Sequence, residues 1–331
     1  MKGGSDNTIC QKENMGENRN ILIVGAGTMG RGIAEVFSAK GIKTTLYDAF
    51  PEQLGRAKKS IAADMAYYKE EGLVNDQEIK NTQDLIFYEE DLSKCAPDAT
   101  LVFEGVFEDF NVKRDIFNKL DQFCSTDCLF CSNTSASNIF EIAQISHPER
   151  LVITHFFNPP YVMPLVEVVM GPETSQGTLD SVKGLLIEVG KDPAVIKQYI
   201  PGFIVNRIAT AITREAGYMV SQGWTTGADI DSAIRNTSGI RYAFEGPMAL
   251  NDVVGWDLTT KVSKDVHKTL CNDDDIENRL GKELMEKGEV GLKSGKGVYD
   301  YSGLDTQEYM NKRSQKIIKM IKTMRALNDL E

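Results

Sequence analysis

Hydrophobic and polar positions follow two regimes along the chain. Ile21-Leu22-Ile23-Val24 is a short apolar run suited to a buried strand, and Gly25-Ala26-Gly27-Thr28-Met29-Gly30 follows it directly. Met29, Ile33, Val36 and Phe37 then recur at helical spacing, Gly41 closes the helix, and Thr44-Thr45-Leu46-Tyr47 predicts a second strand ending on Asp48. Such a strand-helix-strand unit crosses over right-handed and leaves its strands parallel. Further strands are predicted at Leu101-Val102-Phe103, Leu129-Phe130-Cys131, Leu151-Val152-Ile153, Leu165-Val166-Glu167-Val168-Val169 and Ala194-Val195-Ile196, runs rich in β-branched residues as an open sheet covered on both faces requires. Between the first two of these, Val112, Ile116, Phe117, Leu120 and Phe123 mark the apolar face of a helix.

Pro201-Gly202 punctuates the chain, and beyond it the period is helical. Ile204, Ile208, Ala211, Ile212 and Met219 form one stripe; Ile230, Ala233 and Ile234 another; Leu258, Val262 and Val266 a third, with Gly246-Pro247 as a break. Met310, Ile317, Ile321 and Met324 place a last amphipathic helix over roughly 306–327, docking on its own domain or on a second subunit. The expected organisation is a flexible tail over 1–17, an α/β domain with a mainly parallel sheet over 18–200, an all-α domain over 201–304 and a C-terminal amphipathic helix over 305–331. A length of 331 residues suits two such units.

Composition narrows the partners. A formal net charge of -11 argues against nucleic acid and anionic membranes, which need basic patches. The N-terminus has no apolar run for a signal or a membrane helix, and the six cysteines form no regular framework, so a reducing, cytoplasmic setting is expected. Cys124, Cys128 and Cys131 have a cluster-like spacing, but Cys131 falls in an apolar strand and no fourth cysteine is near. Asp273-Asp274-Asp275 reads as a solvated loop, and no metal is expected.

The glycine string carries the first chemistry. It follows a strand, opens a helix and is answered about 20 residues on by an acid at the end of the next strand, the context of a Rossmann-type dinucleotide site. Gly25 makes the tight turn, Gly27 admits the pyrophosphate and Gly30 lets helix and sheet approach, while the amides opening the helix at Thr28 and Met29 face the phosphates. Asp48 suits the adenosine ribose hydroxyls, and Ala49-Phe50-Pro51 after it offers no cation for a 2′-phosphate, so NAD is favoured over NADP.

A second constellation lies further on. His155 ends a strand in Thr154-His155-Phe156-Phe157-Asn158-Pro159-Pro160, and Glu167 interrupts the next apolar strand, where a carboxylate is costly without a partner. Their pairing would fix the imidazole tautomer and stabilise the imidazolium of a general base. A satisfied core histidine and an edge-strand glutamate fit the same residues.

With Ser132-Asn133-Thr134-Ser135, His155-Phe156-Phe157-Asn158-Pro159, Pro201-Gly202-Phe203-Ile204-Val205-Asn206-Arg207 and Lys293-Ser294-Gly295-Lys296-Gly297-Val298-Tyr299 in order, the chain resembles the 3-hydroxyacyl-CoA dehydrogenase family from Ile21 to Tyr301. The resemblance implies that His155 is the acid/base oriented by Glu167. It also implies that Ser135 and Asn206 hydrogen-bond the reacting oxygen, and that Asn158, Glu108, Lys113 and Lys293 lie near the nicotinamide half of NAD. Ser135, Asn206 and Glu108 also suit helix caps, and Lys293 a solvated turn.

Two departures bear on the substrate. Where the family meets the CoA nucleotide with a serine and a lysine, this chain has Asp64 and Glu71. The string Gly239-Ile240-Arg241-Tyr242-Ala243-Phe244-Glu245-Gly246-Pro247 looks like the lambda-crystallin and carnitine dehydrogenase branch, whose members oxidise free 3-hydroxy acids. The leading expectation is NAD-dependent oxidation of a short L-3-hydroxyacyl-CoA such as 3-hydroxybutyryl-CoA. The alternatives are a free 3-hydroxy acid of gulonate or carnitine type, with Arg241 holding its carboxylate, and a non-catalytic, crystallin-like NAD-binding protein. A homodimer built through the helical domain is also expected, from Ile204, Ile208 and the last helix.

Overall fold

A computed structural model describes residues 19–272 and 279–328 of the chain. The expected tail over 1–17 and the Asp273–Asp275 loop lie outside the described residues. Contacts divide the chain into two compact units, one ending at Phe203 and one beginning at Ile204.

The first unit is built on one eight-stranded sheet. Its strands are β1 (Asn20–Val24), β2 (Lys43–Tyr47), β3 (Ile86–Glu89), β4 (Leu101–Glu104), β5 (Leu129–Ser132), β6 (Leu151–Phe156), β7 (Leu165–Met170) and β8 (Asp192–Ile196), in the spatial order β3-β2-β1-β4-β5-β6-β7-β8. Every pairing is parallel except β6 with β7. Helices α1 (Thr28–Ala39), α2 (Pro51–Glu70), α3 (Asp76–Leu85), α4 (Leu92–Cys95), α5 (Phe110–Phe123), α6 (Ile139–Ile142) and α7 (Gln176–Glu188) connect them. This is an α/β Rossmann-type domain with a mainly parallel sheet. Strand order reverses between β1 and β4, so a crevice opens at their carboxyl ends, the switch point where open sheets bind ligands.

Burial follows the apolar runs. Ile21 to Val24, Leu101 to Phe103 and Leu151 to Ile153 are almost wholly buried, as strands covered on both faces should be. The face of α5 is rotated from the expected one: Ile116, Phe117 and Leu120 are buried, but Val112 is 42% exposed and Lys113 is buried in its place. The cause is electrostatic, because the ammonium of Lys113 is drawn inward onto two carboxylates.

The second unit is helical, with α8 (Val205–Ser221), α9 (Gly227–Arg235), α10 (Ser238–Arg241), α11 (Pro247–Val254), α12 (Trp256–Val266), α13 (Arg279–Glu286) and α14 (Thr306–Asn328). Isolated bridges tie Lys296 to Gly291 and to Asp300. On α14 the buried residues are Ile318 and Ile321, while Met310 is exposed, so the docked stripe is narrower than the expected Met310 to Met324. Ile204, Ile208 and Ile212 on the first stripe remain exposed, as do Leu258, Val262 and Val266 on α12. Among the described residues no helix is long and apolar enough to cross a membrane.

Candidate active site

The glycine turn sits at the switch point. Gly25 has φ +102 and donates its amide to Tyr47 at 2.8 Å, while a Cβ on it would lie 2.8 Å from the carbonyl oxygen of Gly105 after β4. Glycine is required there by both conformation and space. A Cβ on Gly30 would lie 1.8 Å from the carbonyl oxygen of Gly25. Gly27 differs: a Cβ there would meet no protein atom within 4 Å. Gly27 also caps α1 without a side-chain hydrogen bond, so the first amides of the helix, at Thr28 and Met29, keep their capacity for an anion.

Asp48, at the end of β2, accepts the amide of Ala26 on Oδ2 at 2.9 Å and that of Phe50 on Oδ1 at 3.0 Å. It is thereby fixed beside the glycine turn, with lone pairs left for the hydroxyls of a ribose. The space over Gly27, the open helix terminus and this acid together fit a dinucleotide.

The catalytic candidates meet across the antiparallel pair. His155 and Glu167 are register partners of β6 and β7, on the same face, and Nδ1 of His155 lies 2.8 Å from Oε2 of the fully buried Glu167. The rings of Phe157 and Phe203 flank the imidazole at 4.5 and 5.6 Å between centroids. A carboxylate on Nδ1 places the N–H there and leaves the lone pair on Nε2. The loop after β6 is held on both sides. Asn133 Oδ1 accepts the amide of Phe156 at 2.9 Å, and the buried Lys191 donates to the carbonyls of Pro160, Tyr161 and Met163 at 2.5, 3.2 and 2.9 Å. Asn158 lies in this loop and is exposed.

Between the two constellations lies an ionic network, buried at Glu104 and Lys113 and exposed at Glu108. Lys113 Nζ contacts Glu104 at 2.8 and 3.1 Å and Glu108 Oε2 at 3.1 Å. Glu108 Oε1 accepts the hydroxyl of Thr134. Burial alone would raise the Glu108 carboxyl, but the Thr134 hydroxyl and the Lys113 ammonium outweigh it and hold it below the usual range. Glu108 is therefore no helix cap; Asp109 caps α5 instead, accepting the amides of Asn111 and Val112. Ser135 lies in the exposed part of the loop after β5.

The remaining candidates belong to the second unit. Asn206 is in the first turn of α8, where the cap position is Ile204, and Lys293 is exposed in a 3-10 turn, Leu292–Ser294. Arg241 ends α10 exposed, and among the described residues its guanidinium makes no ion pair, with Glu245 or otherwise.

Sequence reasoning left Glu104, Ser132, Asn133, Lys191 and Phe203 without roles. Glu104 carried a usable signal, a charge ending an apolar strand, as Glu167 carries one inside its strand. On α2, Asp64 takes the guanidinium of Arg31, and Lys69 is bonded to Asp76 at 2.5 Å.

Comparison with known proteins supplies the class. The family description "3-hydroxyacyl-CoA dehydrogenase, NAD binding domain" matches residues 20–199, and "3-hydroxyacyl-CoA dehydrogenase, C-terminal domain" matches 202–301. The chain belongs to the 3-hydroxyacyl-CoA dehydrogenase family. It is an NAD-dependent oxidoreductase acting on CH–OH groups.

Relatives of two substrate types are similar to it. One is 5-formyl-3-hydroxy-2-methylpyridine 4-carboxylate 5-dehydrogenase of Mesorhizobium japonicum, 32% identical over 91% of this chain and 96% of that one. Another is a probable 3-hydroxybutyryl-CoA dehydrogenase of Bacillus subtilis, 32% identical over 86% of this chain and 98% of that one. A crystal structure of the pyridine carboxylate 5-dehydrogenase, described as an NAD-dependent dismutase, superposes with a TM-score of 0.84 at 30% identity, covering 93% of this chain and 98% of that one.

Proposed function

We propose that the chain oxidises the alcohol carbon of a small 3-hydroxy acid, and reduces the matching 3-oxo acid, with His155 as acid/base. The observation that carries this reading is the 2.8 Å contact of His155 Nδ1 with the buried Glu167 carboxylate. Nε2 of His155 takes the hydroxyl proton during oxidation and returns it during reduction. Glu167 fixes the tautomer and balances the imidazolium inside its aromatic walls. Ser135 and Asn206 donate to the reacting oxygen as its charge develops. Bound NAD supplies the hydride acceptor. Gly25, Gly27, Thr28, Met29, Gly30 and Asp48 hold the adenosine and pyrophosphate part, and Glu108, Asn158 and Lys293 line the nicotinamide side. Lys113 acts there through Glu108, because its ammonium is held by two carboxylates.

A free carboxylate is the favoured form of substrate. The guanidinium of Arg241 has no ion-pair partner among the described residues, and a planar guanidinium binds a carboxylate with two parallel hydrogen bonds. The pyridine carboxylate enzyme, similar over nearly the whole chain, has a carboxylate in its substrate's name. Arg31 and Lys69 on or beside α2 are already paired with acids, which leaves fewer cations for a CoA nucleotide. The second reading, a short-chain 3-hydroxyacyl-CoA, is favoured by the family match and the Bacillus relative. Comparing NADH oxidation with acetoacetate and with acetoacetyl-CoA decides between them. Faster turnover of the thioester overturns the carboxylate reading, and no turnover of any 3-oxo compound overturns both.

The second unit is read as a helical substrate and dimerisation domain. Its Ile204, Ile208, Ile212, Leu258, Val262 and Val266 are exposed apolar side chains, and a second copy is the proposed cover.

A further inference from the structure

The geometry points to Glu104 as a positioning residue that braces the cofactor turn and the substrate loop from one buried carboxylate. This rests on the reading above only in taking the 132–137 loop, which carries Ser135, as the substrate side. Glu104 ends β4 and is wholly buried. Its register neighbours are Val24 on β1, the residue before the glycine turn, and Ser132 on β5, the first residue of the substrate loop. It therefore occupies the last row of the sheet at the switch point, between the two segments that hydride transfer has to bring together.

Three donor groups converge on its two oxygens in four hydrogen bonds. Oε1 accepts the amide of Val106 at 2.9 Å and Lys113 Nζ at 2.8 Å; Oε2 accepts Lys113 Nζ at 3.1 Å and the hydroxyl of Ser132 at 2.6 Å. The Val106 bond fixes the turn at Gly105, whose carbonyl backs Gly25. The Ser132 bond fixes the start of the substrate loop directly. A second route runs through Lys113 to Glu108 and from there to Thr134, whose hydroxyl also accepts the amide of Ser137 at 2.9 Å. With its donors in place, Glu104 is saturated and shielded, so its task is to hold groups and not to touch substrate. An ionic brace suits this task better than apolar packing: charge-assisted hydrogen bonds fix direction as well as distance. Removing one partner would leave a buried charge unbalanced.

Two variants and two readouts test the brace. Ser132→Ala removes the direct link from Glu104 to the substrate loop, together with the bond at 3.4 Å that the Thr134 amide donates to the Ser132 hydroxyl. Glu104→Gln keeps an acceptor for Val106 but turns an amide toward Lys113 or Ser132. A misplacement near 1 Å at a reacting group costs up to about a hundredfold in rate, so kcat should fall about tenfold in Ser132→Ala and further in Glu104→Gln. NADH affinity, titrated by fluorescence, should stay within about threefold of the parent, the split expected when a reaction geometry and not a binding contact is lost. Hydrogen exchange gives a substrate-free readout: the amide of Ser137, bonded to Thr134 and not to Ser132, should exchange faster in Ser132→Ala, with those of 25–30 unchanged. If both variants lose only thermal stability while kcat and loop exchange match the parent, Glu104 is a structural charge and the inference is wrong. Should Glu104→Gln not fold, Ser132→Ala decides alone. A parent enzyme that turns over no 3-oxo compound would overturn the proposed function and the catalytic half of this inference, while loop exchange would still decide the brace.

Discussion

His155 and Glu167 face each other across the antiparallel pairing of β6 with β7, twelve residues apart in sequence and 2.8 Å apart in space. A parallel crossover needs a dozen or more residues between its strands. The eight residues between β6 and β7 permit only the antiparallel return, which sets the pair opposite each other. Replacing His155 with Gln should leave NADH affinity nearly intact and lower kcat by about two to four decades, the range for lost acid/base catalysis. Glu167→Gln should also slow turnover and alter its pH profile, because the imidazolium loses its counter-charge. Steady-state kinetics across pH with an NADH titration check both, and normal turnover in His155→Gln would remove it from the mechanism.

Glu35 predicts a pH effect on stability. It is buried in α1, neither of its oxygens has a hydrogen-bond partner, and burial, only partly offset by Arg31, pushes its carboxyl from 4.5 up to about 8. Between those two pH values the folded chain binds a proton that the unfolded chain has released, so this group's contribution falls as pH rises and is fully lost above the folded value. Glu35→Gln removes that dependence. The difference in Tm between variant and parent should be smallest below about pH 4.5, grow toward pH 8 and then level off. A difference independent of pH would show that the Glu35 carboxyl titrates alike in the folded and unfolded chains, without the upward shift.

Gly27 and Gly30 should separate cofactor binding from folding. A methyl on Gly27 meets open space, whereas one on Gly30 meets the carbonyl of Gly25 at 1.8 Å. Gly27→Ala should therefore melt close to the parent but bind NADH poorly. Gly30→Ala should lose about 1–3 kcal/mol of stability through overpacking. Thermal melts and NADH titrations of the two variants check the contrast; equal NADH affinity in Gly27→Ala would place the pyrophosphate elsewhere.

Arg241→Met distinguishes the substrate classes. Losing a charge-assisted pair costs about 1.5–3 kcal/mol, which is roughly a tenfold to hundredfold loss of kcat/KM. That loss should appear with acetoacetate and not with acetoacetyl-CoA. Equal effects on both would assign Arg241 a structural task.

The assembly is checked by light scattering at micromolar concentration, where a dimer mass is expected. Charged substitutions at Ile208 and Ile212, both about half exposed, should then shift the mass toward the monomer if the first helical stripe is covered by a second copy.

Much of the candidate cofactor site was legible in the chain itself. The glycine string, the flanking apolar runs and Asp48 are local in sequence, and the requirements they meet, a tight turn, a close approach and a helix start, are local too. The strands of the sheet were legible for the same reason, except β3: Ile86 to Glu89 buries little more than Ile86 and shows no strong pattern. His155 and Glu167 stood out because a polar group inside an apolar strand requires a partner. Their pairing followed once the register was known. What the sequence alone could not decide depends on several strands at once. Glu104 reaches Ser132 and Lys113 only because β4 and β5 align in one row and α5 turns Lys113 inward in place of Val112. Helical periodicity cannot choose between those rotations, since the apolar stripe is satisfied by Ile116, Phe117 and Leu120 in either case. The choice falls to the two buried carboxylate oxygens of Glu104, which only the assembled sheet brings within reach of an ammonium.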